Sequence, residues 1–226
     1  MTEGVIAIVR LREQAASDGI LESLVAGGIN RIEITIGTPD ALSTVARWRE
    51  RAEALIGVGS VRTAAEVERA AASGAQFLVT PTTSAPVLAS AASAGVPVVC
   101  GALTPTEIDA AWRAGAAAIK VFPIDTVGGP RYVRAVSAPL NDVPLVPTGG
   151  VDVAATRVYA ALGCAGVGVG SRLVDEALVA ERAWSSLTTR AAQFVQAWRE
   201  GCERQASSVD IVEGGRADES RRWRHG

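Results

Sequence analysis

Ala116-Ala117-Ala118-Ile119-Lys120-Val121-Phe122-Pro123 is an apolar run closed by a proline. It carries the only lysine of a 226-residue chain whose other 21 of 22 Lys+Arg residues are arginines. A short apolar stretch bounded by a turn signal reads as a strand buried on both faces, as in parallel sheets. Side chains alternate along a strand, so Ile119 and Val121 share one face while Ala118, Lys120 and Phe122 share the other. An ammonium in such a strand snorkels from its end, forms half of a buried ion pair, or acts as a nucleophile. Lysine differs from arginine in one respect that matters here: once desolvated it gives up its proton and attacks a carbonyl. The residue alone leaves the three readings open.

Outward from this strand the chain repeats. Gly74 precedes Phe77-Leu78-Val79, Gly95 precedes Val98-Val99-Cys100, Gly115 precedes Ala118 to Phe122, and Gly163 precedes Ala165 to Val169. The first three glycines are 21 and 20 residues apart, and the fourth follows after 48, the length of two such units. A strand and a helix closed by a C-cap glycine, repeated at this period, form a βα array. Val5 to Arg10, Arg31 to Ile36, Leu55 to Gly59 and Val143 to Val146 bring the strand candidates to eight, near 5, 31, 55, 77, 97, 117, 143 and 165. Eight βα units in about 200 residues predict an α/β fold, a single-domain (β/α)8 TIM barrel over residues 1–204. An open doubly wound sheet is the alternative, but no G-x-G-x-x-G opens the first helix.

The helices are punctuated accordingly. Ala15, Ile20, Leu21, Leu24 and Val25 share a stripe stopped by Gly27-Gly28, Gly37-Thr38-Pro39-Asp40 opens a second helix, and Thr63 N-caps a third. A last helix is expected over 181–204, with Trp184, Leu187, Ala191, Phe194, Val195 and Trp198 on one face. Residues 205–226 read as a polar C-terminal tail, disordered or loosely docked, whose one aromatic is Trp223.

Composition excludes several classes. A net charge of −2 provides no basic face for nucleic acid. Met1-Thr2-Glu3-Gly4 lacks a basic leader and no apolar run approaches 18 residues, which predicts a cytoplasmic protein without a membrane partner. Cys100, Cys164 and Cys202 lack metal-type spacing and read as free thiols, the first two as small core residues. The only histidine, His225, lies in the tail, which removes histidine triads, His-rich zinc sites and a histidine base.

Barrel active sites form at the C-terminal ends of the strands. In strand two, Ile32, Ile34 and Ile36 share a face and leave Glu33 and Thr35 on the other. If the isoleucine faces meet helices, Glu33 and Lys120 both project into the barrel, as an ion pair or as an acid–base and nucleophile pair. With no other lysine and no usable histidine, the catalytic pair is the preferred reading. Pro147-Thr148-Gly149-Gly150 and Gly168-Val169-Gly170-Ser171 close strands seven and eight, where barrels of this kind hold phosphate on bare backbone N–H groups. Either pair alone is a tight turn; both together predict a phosphate cradle. Arg10 ends strand one and Ser60 follows strand three, both at the expected active rim, where Arg10 clamps a carboxylate or makes a rim salt bridge. Pro81 ends strand four or shapes the pocket wall.

Six segments in this order resemble the 2-keto-3-deoxy-6-phosphogluconate (KDPG) aldolase family, which includes 6-phosphogalactonate and 4-hydroxy-2-oxoglutarate aldolases. They are Ile32-Glu33-Ile34-Thr35, Gly57-Val58-Gly59-Ser60, Val79-Thr80-Pro81, Ile119-Lys120-Val121-Phe122-Pro123, Pro147-Thr148-Gly149-Gly150 and Val169-Gly170-Ser171, within a similarity spanning roughly residues 5–202. The resemblance implies a class I aldolase that splits a phosphorylated keto-acid sugar to pyruvate and glyceraldehyde 3-phosphate. It implies Lys120 as Schiff-base lysine, Glu33 as general acid/base, and Arg10, Ser60, Pro81, Thr148 and Phe122 at the pyruvate end. Gly149, Gly150, Gly170 and Ser171 fall at the phosphate end. It further implies a homotrimer with no cofactor and no metal. Three departures stand out: Gly37 where many gluconate-specific members have arginine, Ser60 where threonine is usual, and no counterpart of the N-terminal helix under the barrel. Rival readings are 4-hydroxy-2-oxoglutarate aldolase, another phosphate-binding barrel enzyme such as an epimerase or a thiamine-phosphate synthase relative, and a non-catalytic sugar-phosphate sensor.

Overall fold

A computed structural model describes residues 4–13, 17–51 and 53–222, with side chains described as far as Ser207. Ala15, Trp223 and His225, which figure in the sequence reading, lie outside the described residues.

The first half of the chain alternates β1 (Gly4–Val9), α1 (Asp18–Ala26), β2 (Arg31–Thr35), α2 (Ala41–Trp48), β3 (Leu55–Gly59), α3 (Ala64–Ala72), β4 (Leu78–Val79) and α4 (Ala85–Ser93). The second half continues with β5 (Val98–Ala102), α5 (Pro105–Arg113), β6 (Ala118–Val121), α6 (Pro130–Ser137), β7 (Leu145–Pro147), α7 (Val153–Ala161) and β8 (Gly166–Val169). A short α8 (Glu176–Ala180) leads to the long α9 (Trp184–Arg222). All strand pairs are parallel, in the order β7-β6-β5-β4-β3-β2-β1-β8, and a parallel bridge between Thr148 and Gly168 joins the two ends. This is the (β/α)8 barrel, not the open sheet.

Local chemistry explains the alternation. Thr63 caps α3 by accepting from the Glu66 amide at 3.2 Å, and the Glu66 carboxylate reaches back to the Thr63 amide. Thr104 and Glu107 build the same box on α5, with Pro105 at its first position. Asp152 caps α7 through the Ala155 amide. The repeat glycines Gly74, Gly95, Gly115 and Gly163 take φ of 83°, 69°, 89° and 77° just after their helices, a left-handed turn open to glycine at little cost.

Two apolar layers result. Ile32, Ile34, Ile119 and Val121 pack with the helices in the outer layer, as their strand faces predict. Ile6, Phe77, Val79, Val99, Ala118 and Val146 form a separate cluster inside the barrel. Phe77 fills much of that interior: a Cβ on Gly57 would lie 2.6 Å from its ring. Glu33 and Lys120 sit on the same inward faces of β2 and β6, in register with Gly57 and Gly101 respectively.

The last helix begins at Trp184 and continues past the expected end at residue 204, as helical backbone to Arg222. Leu187, Ala191 and Phe194 are buried against the barrel, with Trp184, Val195 and Trp198 partly covered beside them. Cys100 and Cys164 are buried free thiols. Desolvation pushes the Cys164 thiol up to about 12, which leaves it inert near neutrality. Among the described residues no helix is long and apolar enough to cross a membrane.

Candidate active site

A cavity of about 670 Å³ opens at the C-terminal ends of β1, β6, β7 and β8. Eight of the residues singled out by sequence line it: Arg10, Lys120, Phe122, Thr148, Gly149, Gly150, Gly170 and Ser171. Lys120 is only 4% exposed and enters the cavity from the barrel interior, with Nζ 5.4 Å from the centre of the Phe122 ring. Phe122, 36% exposed, forms the wall beside it.

Glu33 lies deeper, 1% exposed and off the cavity wall. Its Oε1 is fully buried and makes no hydrogen bond. Burial pushes this carboxyl above its ordinary value of 4.5, while the nearby charges of Lys120 and Arg10 pull it back down. None of the ion pairs within 4.0 Å among the described residues includes Glu33 or Lys120. The two groups therefore feel each other through the barrel without closing into the ion pair that sequence left open. A raised carboxyl with an unsatisfied oxygen is suited to take up and return a proton.

The slot that holds Glu33 is made by an absent side chain. A Cβ on Gly59 would stand 1.7 Å from Glu33 Oε1 and 2.3 Å from its carboxyl carbon. Gly59→Ala is expected to displace the carboxylate and lower kcat by on the order of 100-fold, since misplacement by an ångström costs about that much. Steady-state kinetics beside a thermal melt check this. An alanine variant with unchanged kcat would show that Glu33 needs no such slot.

The two glycine loops converge as the sequence predicts. Gly149 and Gly150 take φ of 103° and 67°, and a Cβ on Gly150 would lie 2.3 Å from Asp125 Oδ2. Gly170 has nothing within 4 Å of its Cβ position, which leaves its backbone open. Thr148 Oγ1 bonds the Val146 carbonyl, and Gly168 leaves it room across the β7–β8 seam.

Ser60 and Pro81 stand off the cavity wall. Ser60 lies one step back: Arg10 Nη2 donates to its Oγ at 3.4 Å, and its backbone holds φ of 60°, a left-handed conformation unusual for a residue with a side chain. Pro81 packs its carbonyl over Gly101 on β5.

Sequence reasoning missed Ile8, Arg12, Val151, Arg172, Val174, Asp175 and Glu176 on the cavity wall. Ile8 was legible by strand parity with Arg10. The rest lie in loops or, for Glu176, at the first residue of α8, where no periodicity marks orientation, although Arg172 directly follows Ser171 and Arg12 lies two residues past Arg10. Lys120, Arg10, Arg12 and Arg172 outnumber Asp175 and Glu176 there, so the mouth favours an anion. Asp175 is occupied as the α8 cap, accepting from the Ala177 and Leu178 amides. Among the described residues, no group of three or more His, Cys, Asp or Glu side chains is placed to hold a metal ion.

Residues 1–190 match the family model described as "Aldolase: KDPG and KHG aldolase". The chain belongs to that family. It is 32% identical over 197 residues to the 2-dehydro-3-deoxy-phosphogluconate aldolase of Treponema pallidum, covering 85% of this chain and 92% of that one. It is 36% identical over 176 residues to a probable 2-dehydro-3-deoxy-6-phosphogalactonate aldolase of Rhizobium meliloti, covering 76% and 82%. The KDPG aldolase of Legionella pneumophila, solved with pyruvate captured as a covalent carbinolamine intermediate, superposes with a TM-score of 0.74 at 28% identity, covering 86% of this chain and 94% of that one. As a KDPG and KHG aldolase family member the protein is a carbon–carbon lyase.

Proposed function

We propose that the protein is a class I aldolase cleaving a 2-keto-3-deoxy-6-phospho-sugar acid to pyruvate and glyceraldehyde 3-phosphate. The observation that carries this reading is the lone lysine, buried in the barrel yet opening into a cavity whose far wall is two bare glycine loops. Lys120 Nζ attacks the C2 carbonyl to give a carbinolamine, which loses water to form an iminium. Glu33, relayed by a water, accepts the proton of the C4 hydroxyl as the C3–C4 bond breaks. The electron pair of that bond moves into the iminium, giving an enamine and releasing the aldehyde. Protonation at C3 and hydrolysis then return pyruvate and free Lys120.

Arg10, with Ser60 behind it, holds the substrate carboxylate, and Thr148, Phe122 and Pro81 shape the pyruvate end. Gly149, Gly150, Gly170 and Ser171 take the phosphate, in the positive field of Arg12 and Arg172. The chemistry asks for no cofactor and no metal, and the protein acts as a cytoplasmic homotrimer. Relatives named for the gluconate-derived and the galactonate-derived acid have similar identity, so the epimer rests on assay.

Borohydride reduction in the presence of pyruvate tests the reading. A stable pyruvyl adduct mapped to Lys120 is expected, and with one lysine in the chain the only competing amine is the N-terminus. Folded protein that yields no adduct would leave a phosphate-binding barrel without Schiff-base chemistry. Parallel assays with both epimers and with 4-hydroxy-2-oxoglutarate then assign the aldehyde half.

A further inference from the structure

Arg10 is exposed, but the two residues on either side of it, Val9 and Leu11, are buried at 0% and 3%. The ladder between β1 and β2 ends where Val9 faces Ile34, just before Arg10. Beyond that rung one side chain from the loop after β2 takes over. Leu11 N–H donates to Thr38 Oγ1 at 3.2 Å, and Thr38 Oγ1 donates to the Val9 carbonyl at 3.3 Å. Both backbone groups that bracket Arg10 are thus held by a single buried hydroxyl, itself 3% exposed.

The proton count closes. A threonine hydroxyl has one hydrogen to give and two lone pairs to accept with. Thr38 spends its hydrogen on Val9, accepts from Leu11, and accepts a second time from Thr35 Oγ1 at 3.0 Å. Thr35 is buried and lies two residues beyond Glu33 on the same face of β2. The loop carrying Thr38 is fixed in turn, by Thr38 N–H to the Thr35 carbonyl and by Ile36 N–H to the Gly59 carbonyl, both at 2.8 Å. The strand ends bearing Arg10, Glu33 and Ser60 are therefore joined through one loop.

We propose that Thr38 is a positioning residue that fixes the Arg10 backbone so that the guanidinium meets the keto-acid carboxylate. This deepens the aldolase reading and rests on it. A simple packing role would ask only for volume at this site, which valine supplies. A positioning role asks for the hydroxyl, and only for ligands that bear a carboxylate.

The test is the concentration dependence of borohydride trapping at Lys120, measured with pyruvate and with pyruvamide, its neutral carboxamide analogue. Thr38→Val is expected to raise the pyruvate concentration for half-maximal trapping about tenfold, the effect of losing one well-placed hydrogen-bonded contact, and to leave the pyruvamide dependence unchanged. Arg10→Leu is expected to shift pyruvate in the same direction and further. Thr38→Ser, which keeps the hydroxyl, should restore the pyruvate dependence to within about twofold of the wild type. Should the valine variant not fold, Thr38→Ala is measured in its place against the same serine control. Equal shifts for pyruvate and pyruvamide, or no pyruvate shift while Arg10→Leu gives one, would overturn the positioning role. A wild-type protein that traps no pyruvate would overturn the aldolase reading itself, and the role with it.

Discussion

Lys120→Arg is expected to lower kcat by on the order of 10⁴-fold or more, because it keeps the positive charge and removes the nucleophile. The barrel interior offers nothing to replace it: Lys120 is the only lysine, and the only histidine lies at position 225. The larger guanidinium has to fit a site that is 4% exposed, so a thermal melt accompanies the kinetics. Lys120→Met, similar in length and uncharged, serves as a second variant. Both should retain binding of glyceraldehyde 3-phosphate, since the glycine loops lie on β7 and β8 rather than β6. A non-catalytic sensor would behave differently: it shows no turnover in the wild type and binds the intact sugar acid equally well with arginine at 120. An arginine variant within tenfold of wild-type kcat would sink the Schiff-base mechanism.

Much of this arrangement was legible because it depends on periodicity. Alternation on β2 and β6 placed Glu33 and Lys120 on the inward faces, and the glycine period located the helix ends. Where the reading slipped, a specific physical cause is visible. The seventh strand begins at Leu145 rather than Val143, since Pro144 has no N–H for the ladder and contributes only its carbonyl, which accepts from Ile119 N–H at 2.8 Å. The fourth strand shortens to Leu78–Val79, yet Phe77 still serves the interior because its parity is unchanged. Asp40 stands at the start of α2 as expected, but with φ of 57° its side chain makes no cap bond and its carbonyl receives Thr44 N–H instead. Arg12, Arg172 and Asp175 sit in loops and Glu176 opens the short α8, where orientation follows from tertiary contacts and leaves no periodic trace. The Thr38 hydroxyl belongs with them: its partners Val9, at the end of β1, and Leu11, just beyond it, are 29 and 27 residues away, a separation no local pattern encodes. What stayed hidden is therefore the loop residues around the cavity more than the residues on the inward strand faces.

Glu33→Gln should cost about 10²- to 10⁴-fold in kcat, the usual contribution of a positioned general acid or base. Glutamine fits the Gly59 slot, so the loss isolates proton transfer from packing. The pH dependence carries a second signature. The carboxyl must be ionised to accept the C4 hydroxyl proton, so wild-type kcat should fall as pH drops through a value above the ordinary 4.5, and the glutamine variant should lack that limb. Stability moves in the opposite sense. Burial raises the folded-state value above that of the unfolded chain, so between the two the folded state binds more protons, and stability declines as pH rises through that window. The amide has no such penalty. Its stability relative to wild type should increase from below pH 4.5 upward and level off once Glu33 is fully ionised, as read by urea denaturation across the series. A constant stability difference together with kcat within threefold of wild type would mean that Glu33 is neither strained by its burial nor used in proton transfer. A constant difference with kcat strongly reduced would place its effect in orientation of the substrate rather than in a raised proton affinity.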